Sequence, residues 1–182
     1  MVYYMEIYTD GGCRRNGQPG AIGAAAAAIK NRYGKYRGWQ LSLPSNPRPT
    51  NQRAEITAII LALEKASEKY DELNSKPRLD VKIYSDSRYV VGCMTTWVDK
   101  WENNGWTNSA GKEVANRDLL EEAWDLDNTL RQVGRGDIEY IWIPREKNEY
   151  ADRLCNEDMD EQEEQGKPDR CETDSDDSEF YF

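Results

Sequence analysis

The chain has 182 residues, a formal net charge of −10 and no histidine. The lack of histidine excludes Ser-His-Asp and Cys-His triads, histidine-ligated zinc and acid–base catalysis by an imidazole. Hydrophobic residues make up 38% of the chain and six residues are tryptophan, which indicates one folded domain with a proper core. No apolar run is long enough to predict a membrane span.

The negative charge is concentrated towards the C-terminal end. Residues 157–182 carry 12 acidic and 2 basic side chains, which leaves 22 of the 34 acidic and 22 of the 24 basic side chains for residues 1–156. A neutral body of this kind is compatible with a polyanionic substrate. We expect a folded domain over residues 1–161 and a disordered acidic tail over residues 162–182. The tail is either a solvated segment or a weak self-inhibitor that competes with nucleic acid for the basic surface.

The four cysteines, at positions 13, 93, 155 and 171, show no Cys-x-x-Cys spacing. They are compatible with a reducing compartment, and we predict no disulfide among them. The first residues lead directly into a predicted strand and show neither a basic leader nor a transit pattern. We therefore expect a protein of the cytoplasm or the nucleus.

The first third of the chain predicts β-structure. Residues 2–9 alternate between two faces, a glycine-rich turn follows at 11–17, and further strands are predicted at 20–30 and 36–43. The second of these strands contains five consecutive alanines, which favour a helix, but its glycines and short length favour a tightly covered strand. This order is typical of an antiparallel meander.

Helices and strands alternate in the remainder. A proline-rich linker leads to a helix at 52–70, for which Thr50 or Asn51 would be the N-cap. A strand at 79–84, a helix at 87–97, a tryptophan-rich excursion at 98–114, a helix at 117–132, a strand at 138–143 and a final helix at 148–161 follow. The elements together predict an α/β domain with a mixed five-stranded sheet flanked by helices.

Four carboxylates occupy positions that the predicted elements would expose. Asp10 ends the apolar run 5–9 and Asp86 ends the run 81–85, so both are expected at the carboxyl ends of adjacent strands. Glu55 lies in the first turn of the long helix, and Asp152 lies early in the last one. Carboxylates in these places suit magnesium ions that hold a phosphodiester. The sequence therefore predicts a metal-dependent nuclease.

Several motifs appear in a fixed order around these carboxylates. They are Tyr-Thr-Asp-Gly-Gly-Cys at 8–13, Thr-Asn-Gln-Arg-Ala-Glu at 50–55, Tyr-Ser-Asp-Ser at 84–87, Thr-Trp-Val-Asp-Lys-Trp at 96–101, Ser-Ala-Gly-Lys-Glu-Val-Ala-Asn at 109–116 and Asn-Glu-Tyr-Ala-Asp-Arg-Leu at 148–154. Over about residues 4–160 the chain resembles the catalytic domain of type 1 ribonuclease H. The resemblance implies a sheet of strand order 3-2-1-4-5. It also implies hydrolysis of the RNA strand of RNA–DNA hybrids, leaving 5′-phosphate and 3′-hydroxyl ends.

The same resemblance implies a two-metal site. Asp10 would bridge two magnesium ions, with manganese as an alternative ion. Glu55 and Asp86 would support the leaving-group side, and Asp152 the side of the attacking water. Hard oxygen ligands and a redox-inert ion suit this chemistry.

Contacts with the hybrid are also implied by the resemblance, and we expect no membrane and no second subunit as partner. The RNA 2′-hydroxyl groups, which distinguish RNA from DNA, would be contacted by four residues: Cys13, Asn16, Asn51 and Gln52. The DNA strand would be held at two places. A phosphate pocket would be formed by Arg48, Thr50 and Asn116. A channel would be formed by Trp97, Trp101, Ser109 and Tyr89. Trp97 has core packing as an alternative role, and Trp106 is interpreted as structural.

Two features depart from the family pattern. The segment 143–148 is short and lacks the histidine and glycine that usually precede the last helix, and we expect Arg145 to substitute partly as a cation near the scissile phosphate. Arginine stays protonated, so it cannot act as a general base. The protrusion at 99–106 carries Lys100 but also Asp99 and Glu102, which predicts weaker hybrid binding and a shallower salt dependence.

Three other interpretations are compatible with parts of the sequence. The chain could be the ribonuclease module of a reverse transcriptase, a non-catalytic module that binds hybrid or double-stranded RNA, or an acidic adaptor protein. The four carboxylates argue against a pure binding module, because clustered negative charge weakens the attraction to phosphates. The adaptor interpretation would explain only the tail.

Overall fold

The computed structural model describes residues 1–166, which form five strands and five α-helices joined by turns and loops. The strands are β1 (Val2–Arg14), β2 (Ile22–Lys30), β3 (Tyr36–Ser42), β4 (Arg78–Ser85) and β5 (Ile138–Trp142). The helices are α1 (Asn51–Asp71), α2 (Arg88–Gly92), α3 (Val98–Asn103), α4 (Arg117–Gly134) and α5 (Glu149–Gln165). A π-helical turn, Cys93–Trp97, joins α2 to α3, and a 3₁₀ turn, Arg145–Lys147, precedes α5. None of the helices in these 166 residues has the length and apolar character needed to cross a membrane.

The five strands form one mixed sheet in the order β3-β2-β1-β4-β5. Strands β1, β2 and β3 are antiparallel neighbours, whereas β4 runs parallel to both β1 and β5. The predicted α/β class, the meander and the strand order 3-2-1-4-5 are therefore confirmed. The parallel pairing requires long crossovers, and helices α1 to α4 supply them.

The alanine run forms the fully buried centre of β2, as predicted. Ala25 packs with Ala54 of α1 on one face of the sheet, and Ala24 and Ala26 pack with Cys155 of α5 on the other. Side chains of one carbon let helices approach both faces of the strand closely. The helical propensity of alanine is thus overridden by burial between two helices.

Strand β1 is longer than predicted, and the predicted turn at 11–17 is wrong in its first half. Residues Asp10 to Arg14 continue the ladder opposite Ala26 to Ile22 of β2. The glycines serve close packing here, because a Cβ atom on Gly11 would overlap the backbone of Ala54 in α1. Asp10 therefore lies within a strand. The pairing of β1 with β4 ends at Thr9, opposite Ser85, so Asp10 still emerges at the carboxyl end of β4 beside Asp86.

Helix α1 covers the sheet and forms most of the core with it. Ile56, Ile59 and Leu63 are buried against β1 and β4, where Ile7 and Ile83 are inaccessible to solvent. Thr50 is the N-cap, because its hydroxyl accepts a hydrogen bond from the Arg53 amide at 3.1 Å. The alternative cap, Asn51, is the first helical residue. The cap and the core contacts together fix the depth at which Glu55 enters the site.

Helix α5 continues four residues beyond the predicted end at 161. Gln162 Nε2 donates hydrogen bonds to the Gly23 carbonyl at 2.9 Å and to Asp158 at 2.6 Å, which ties this last turn to the start of β2. The predicted acidic tail therefore begins later than expected. The disorder predicted for it concerns residues 167–182, which lie outside the described residues.

Substitution of Gly11 by alanine tests the close approach of β1 and α1. Because the added methyl group meets backbone of Ala54, Gly11→Ala is expected to lower the free energy of unfolding by about 3 kcal/mol, at the upper end for overpacking. Gly12→Ala is the matched control, because its Cβ would lie 3.0 Å from the flexible end of Met159. Urea denaturation of both variants measures the difference, and equal losses would contradict the argument.

Candidate active site

Three of the four predicted carboxylates lie together at the carboxyl end of the parallel strands. Asp10, Glu55 and Asp86 each offer a carboxylate oxygen, and these oxygens lie within 4.8 Å of one another. Asp10 comes from β1, Glu55 from α1 and Asp86 from the residue after β4. Three separate segments therefore converge on one point.

The cluster is electrostatically strained in the absence of a cation. Burial, followed by the charges of Asp86 and Asp152, raises the pKa of Asp10 to about 7. Burial, followed by the charges of Asp10 and Asp86, raises the pKa of Glu55 to about 9. The positive charge of Arg145 and an amide of Gly11 oppose both shifts, but they do not overcome them. The folded chain thus favours protons or cations at this position.

The donor atoms fit a hard divalent cation. The Oε2 atom of Glu55 is buried and has no hydrogen-bond partner within residues 1–166. A buried carboxylate oxygen without a partner is costly unless it is protonated or coordinates a cation. All the converging ligands are carboxylate oxygens, the donors that magnesium prefers.

Asp152 lies at the edge of the cluster. It lines the same cavity of about 360 Å³ as the other three acids, but its Oδ1 atom accepts a hydrogen bond from Arg145 Nη2 at 2.6 Å. Arg145 also lines this cavity, and its side chain is 75% exposed. The structure therefore places the predicted substitute for the missing histidine beside the predicted fourth ligand.

Asn148 is a site residue that the sequence reasoning missed. Its side chain is buried, and Nδ2 donates to the Thr9 carbonyl at 2.8 Å and to Asp86 Oδ1 at 3.3 Å. The indole N–H of Trp142 donates to the Asp86 carbonyl at 3.1 Å. Asn148 therefore connects the start of α5 with the ends of β1 and β4. Its only sequence signal is an amide just before a helix, which is also typical of a cap.

The residues predicted to contact RNA divide between two places. Cys13 and Asn51 line the carboxylate cavity, and the Asn51 amide donates to Asn16 Oδ1 at 3.0 Å. Asn16 thus fixes the start of α1 beside Glu55. Gln52 lies instead in the neighbouring groove, where its Oε1 accepts from Asn116 at 3.4 Å. Their contacts with RNA stay predictions.

A second groove of about 450 Å³ contains the predicted DNA channel. Gln52, Tyr89, Trp97, Trp101 and Ser109 contribute to its walls. Trp97 is 40% exposed, and its ring centroid lies 5.9 Å from that of Trp101, so it forms a surface and not a core. Trp106 is buried, as its structural interpretation predicts.

The three residues of the predicted phosphate pocket form hydrogen bonds with neighbouring residues. Asn116 donates to the Tyr89 hydroxyl at 3.4 Å, which places it beside the aromatic groove. Thr50 is engaged as the cap of α1, and the guanidinium of exposed Arg48 donates to the Gly17 carbonyl at 3.4 Å. The role of these three residues with DNA stays a prediction.

Comparison with known proteins identifies the family. The family described as RNase H matches residues 3–160 of this chain. The chain belongs to the ribonuclease H family. This assignment confirms the predicted resemblance and the enzyme class, ribonucleases that hydrolyse RNA in RNA–DNA hybrids.

Individual relatives agree with the family assignment. The ribonuclease H of Alkalilimnicola ehrlichii is 34% identical over 167 residues, which cover 89% of this chain and 99% of that protein. Ribonuclease H1 of Homo sapiens is 33% identical over 159 residues, which cover 85% of this chain and 49% of the human protein. The crystal structure of LC11-RNase H1 in complex with RNA/DNA hybrid superimposes with a TM-score of 0.64 at 25% identity and covers 87% of this chain and 98% of that chain.

The raised pKa values predict that the metal-free ribonuclease H becomes less stable as the pH rises. Between pH 4.5 and about 9, Glu55 keeps its proton in the folded chain but has lost it in the unfolded chain. Asp10 likewise keeps its proton only in the folded chain between pH 3.8 and about 7. We expect the free energy of unfolding in chelator to be lower at pH 8 than at pH 5 by at least about 1.4 kcal/mol, the equivalent of one pKa unit.

Chemical denaturation at both pH values measures this loss. Glu55→Gln should reduce it, whereas Glu139→Gln, at an exposed position of β5, should leave it unchanged. Magnesium should also reduce the loss, because a cation that binds the folded chain stabilises it. Equal pH dependence in the wild type and in Glu55→Gln would contradict the assignment.

Proposed function

We propose that this chain hydrolyses the RNA strand of RNA–DNA hybrids at the Asp10, Glu55 and Asp86 cluster, with Asp152 as the fourth ligand and magnesium as the ion. The observation that carries the proposal is the convergence of three carboxylates within 4.8 Å, one of which has a buried oxygen with no hydrogen-bond partner in the described part of the chain. Two bound magnesium ions would supply Lewis acidity at the phosphodiester and an activated water at neutral pH. Manganese satisfies the same oxygen ligands.

The carboxylates have different tasks in this proposal. Asp10 would contribute to holding both ions. Glu55 and Asp86 would hold the side of the leaving 3′ oxygen, and Asp152 would hold the side of the attacking water. Attack by water on phosphorus with departure of the 3′ oxygen leaves 5′-phosphate and 3′-hydroxyl ends. Asn148 keeps Asp86 in place through its hydrogen bond to Oδ1.

Selectivity for a hybrid would come from two adjoining surfaces. Cys13 and Asn51 line the carboxylate cavity, where the ribose beside the scissile phosphate would lie, and they can contact 2′-hydroxyl groups. The groove with Trp97 and Trp101 offers aromatic faces to the DNA strand, and contact with aromatic faces is tolerant of base sequence. Little preference for base sequence is therefore expected.

Assembly and location are further parts of the proposal. All residues of the carboxylate cluster come from one chain, so a monomer is sufficient for activity. Within residues 1–166, Cys13, Cys93 and Cys155 form no disulfide with one another, which suits the reducing cytoplasm or nucleus.

Asp10→Asn tests the catalytic assignment. The amide keeps the shape of the side chain but removes a charged ligand, so cleavage of labelled hybrid in magnesium should fall by at least about a hundredfold while hybrid binding persists. Asp125→Asn, at an exposed position of α4, is the matched control and should cleave normally. Double-stranded and single-stranded RNA should resist cleavage. Cleavage of hybrid that survives chelation of divalent ions would exclude the mechanism.

Arg145→Ala tests the role proposed for the cation that replaces histidine. We expect kcat to fall about tenfold, since an exposed cation stabilises developing charge less than a buried donor does. Arg145→Lys should restore part of the activity because it retains the charge. Arg153→Ala is the control, because Arg153 lies exposed on α5, outside the carboxylate cavity, and pairs with Glu157 at 3.6 Å. An unchanged kcat for Arg145→Ala would contradict a catalytic role, and Arg145 would then only pair with Asp152.

A further inference from the structure

A third groove, of about 770 Å³, lies at the opposite end of the sheet from the carboxylate cluster. It is lined by the first residues of β1, the turn between β2 and β3, and the last turns of α1. Tyr3, at its edge, lies seven residues before Asp10 on β1, which corresponds to roughly 23 Å along a strand. The groove is therefore separate from the carboxylate cavity, with which it shares no lining residue.

The groove is positively charged although the chain is acidic. Six cations line it, namely Lys30, Arg32, Lys35, Arg37, Lys65 and Lys69. Its two acids, Glu68 and Glu72, are already paired with Lys65 at 2.8 Å and with Lys69 at 2.7 Å. Within residues 1–166 the other four cations have no carboxylate within 4.0 Å. The groove thus offers four cations to an acidic ligand.

Aromatic side chains accompany these cations. Tyr4 and Tyr33, which line the groove, are 71% and 72% exposed. The Arg37 guanidinium lies 5.2 Å from the centre of the Trp39 ring, and that of Arg32 lies 4.8 Å from the Tyr33 ring. A ligand that combines carboxylates with aromatic rings matches both properties.

The segment 167–182 of this chain has that composition. It contains six acids between 169 and 179 and only two bases, and it closes with three aromatic residues, Phe180, Tyr181 and Phe182. We propose that this acidic and aromatic segment binds in the groove of its own chain.

The length of the segment is sufficient. Gln162 contacts Gly23 at the start of β2, and Lys30 of the groove ends the same strand, roughly 23 Å away at 3.3 Å per residue. Sixteen extended residues span up to about 53 Å. Because the segment is covalently attached, its effective concentration at the groove is of the order of millimolar, so weak contacts are sufficient for binding.

A segment bound in this groove lies away from the catalytic surface. A self-inhibitor would instead lie over Asn16, Arg48 and the carboxylate cavity, and would compete with the hybrid. The groove at the far end of β1 holds the acidic side chains away from the metal ligands, so it leaves hybrid binding unaffected.

Paramagnetic relaxation in the full chain tests the proposal. A nitroxide is attached at Ser178→Cys, with Cys13→Ser and Cys171→Ser so that only the buried Cys93 and Cys155 remain. Amide signals of residues 31–37 and 65–72 should be strongly broadened. Broadening centred on Asn16 and Arg48 would identify a self-inhibitor, and broadening without a preferred location would identify a solvated segment. Either result would overturn the proposal.

Matched variants separate charge from aromatic anchoring. Arg37→Glu should abolish the broadening, whereas Lys82→Glu, an equal charge change at an exposed strand position outside the groove, should preserve it. Replacing Phe180 and Phe182 by serine leaves the charge unchanged and should also abolish it. Persistence of the broadening in both groove and aromatic variants would refute the proposed contacts.

Two further samples exclude other occupants. Mixing nitroxide-labelled chain with isotope-labelled chain that carries no nitroxide should give no broadening, because the segment binds within its own molecule. Broadening in this mixture would assign the groove to a second copy. A single-stranded oligodeoxynucleotide that shifts residues 31–37 while the nitroxide does not affect them would assign it to nucleic acid. Both results would overturn the proposal.

Discussion

The mutual repulsion of Asp10, Glu55 and Asp86 is the constraint on which this structure depends. Folding brings their oxygens within 4.8 Å and buries Glu55 Oε2 without a hydrogen-bond partner among residues 1–166. Such an arrangement costs free energy in the empty protein, and only the surrounding fold can maintain it. The same cost becomes useful when cations bind, because the repulsion between the carboxylates is then replaced by attraction to the metal.

The sheet and its helices supply the rigidity that this cluster requires. Small residues allow α1 and α5 to approach β1 and β2 closely, as the contact of Gly11 with Ala54 and the buried Ala24 and Ala26 show. Asn148 then bonds to Thr9 and Asp86, which links α5 to the ends of two strands. Positions fixed by packing and by buried hydrogen bonds hold ligands more accurately than loops do.

Clusters of acidic, aromatic and basic side chains lie on separate surfaces of this protein. The carboxylate cavity, the aromatic groove with Trp97 and Trp101, and the basic groove at the far end of β1 have different compositions. A polyanionic substrate needs cations nearby and carboxylates only where metals bind. Among the described residues, two cations line the carboxylate cavity: Arg145, paired with Asp152, and Arg14, paired with Asp160 and Glu163. The basic groove lies at the far end of β1.

The sequence by itself determined the order of the elements and the α/β class, and it indicated which four carboxylates are candidate metal ligands. Hydrophobic periodicity and motifs such as Thr-Asp-Gly-Gly are local properties of the chain, so they can be recognised without the fold. It also indicated the buried strand of alanines from its flanking glycines. Tertiary structure decided the full length of β1, the role of Asn148, the pairing of Arg145 with Asp152 and the place of the basic groove. The contacts of β1 with α1 and of Asn148 with Thr9 and Asp86 join residues that are distant in the chain, 139 positions apart for Thr9 and Asn148. Local patterns carry no information about which distant backbone will lie opposite a given side chain.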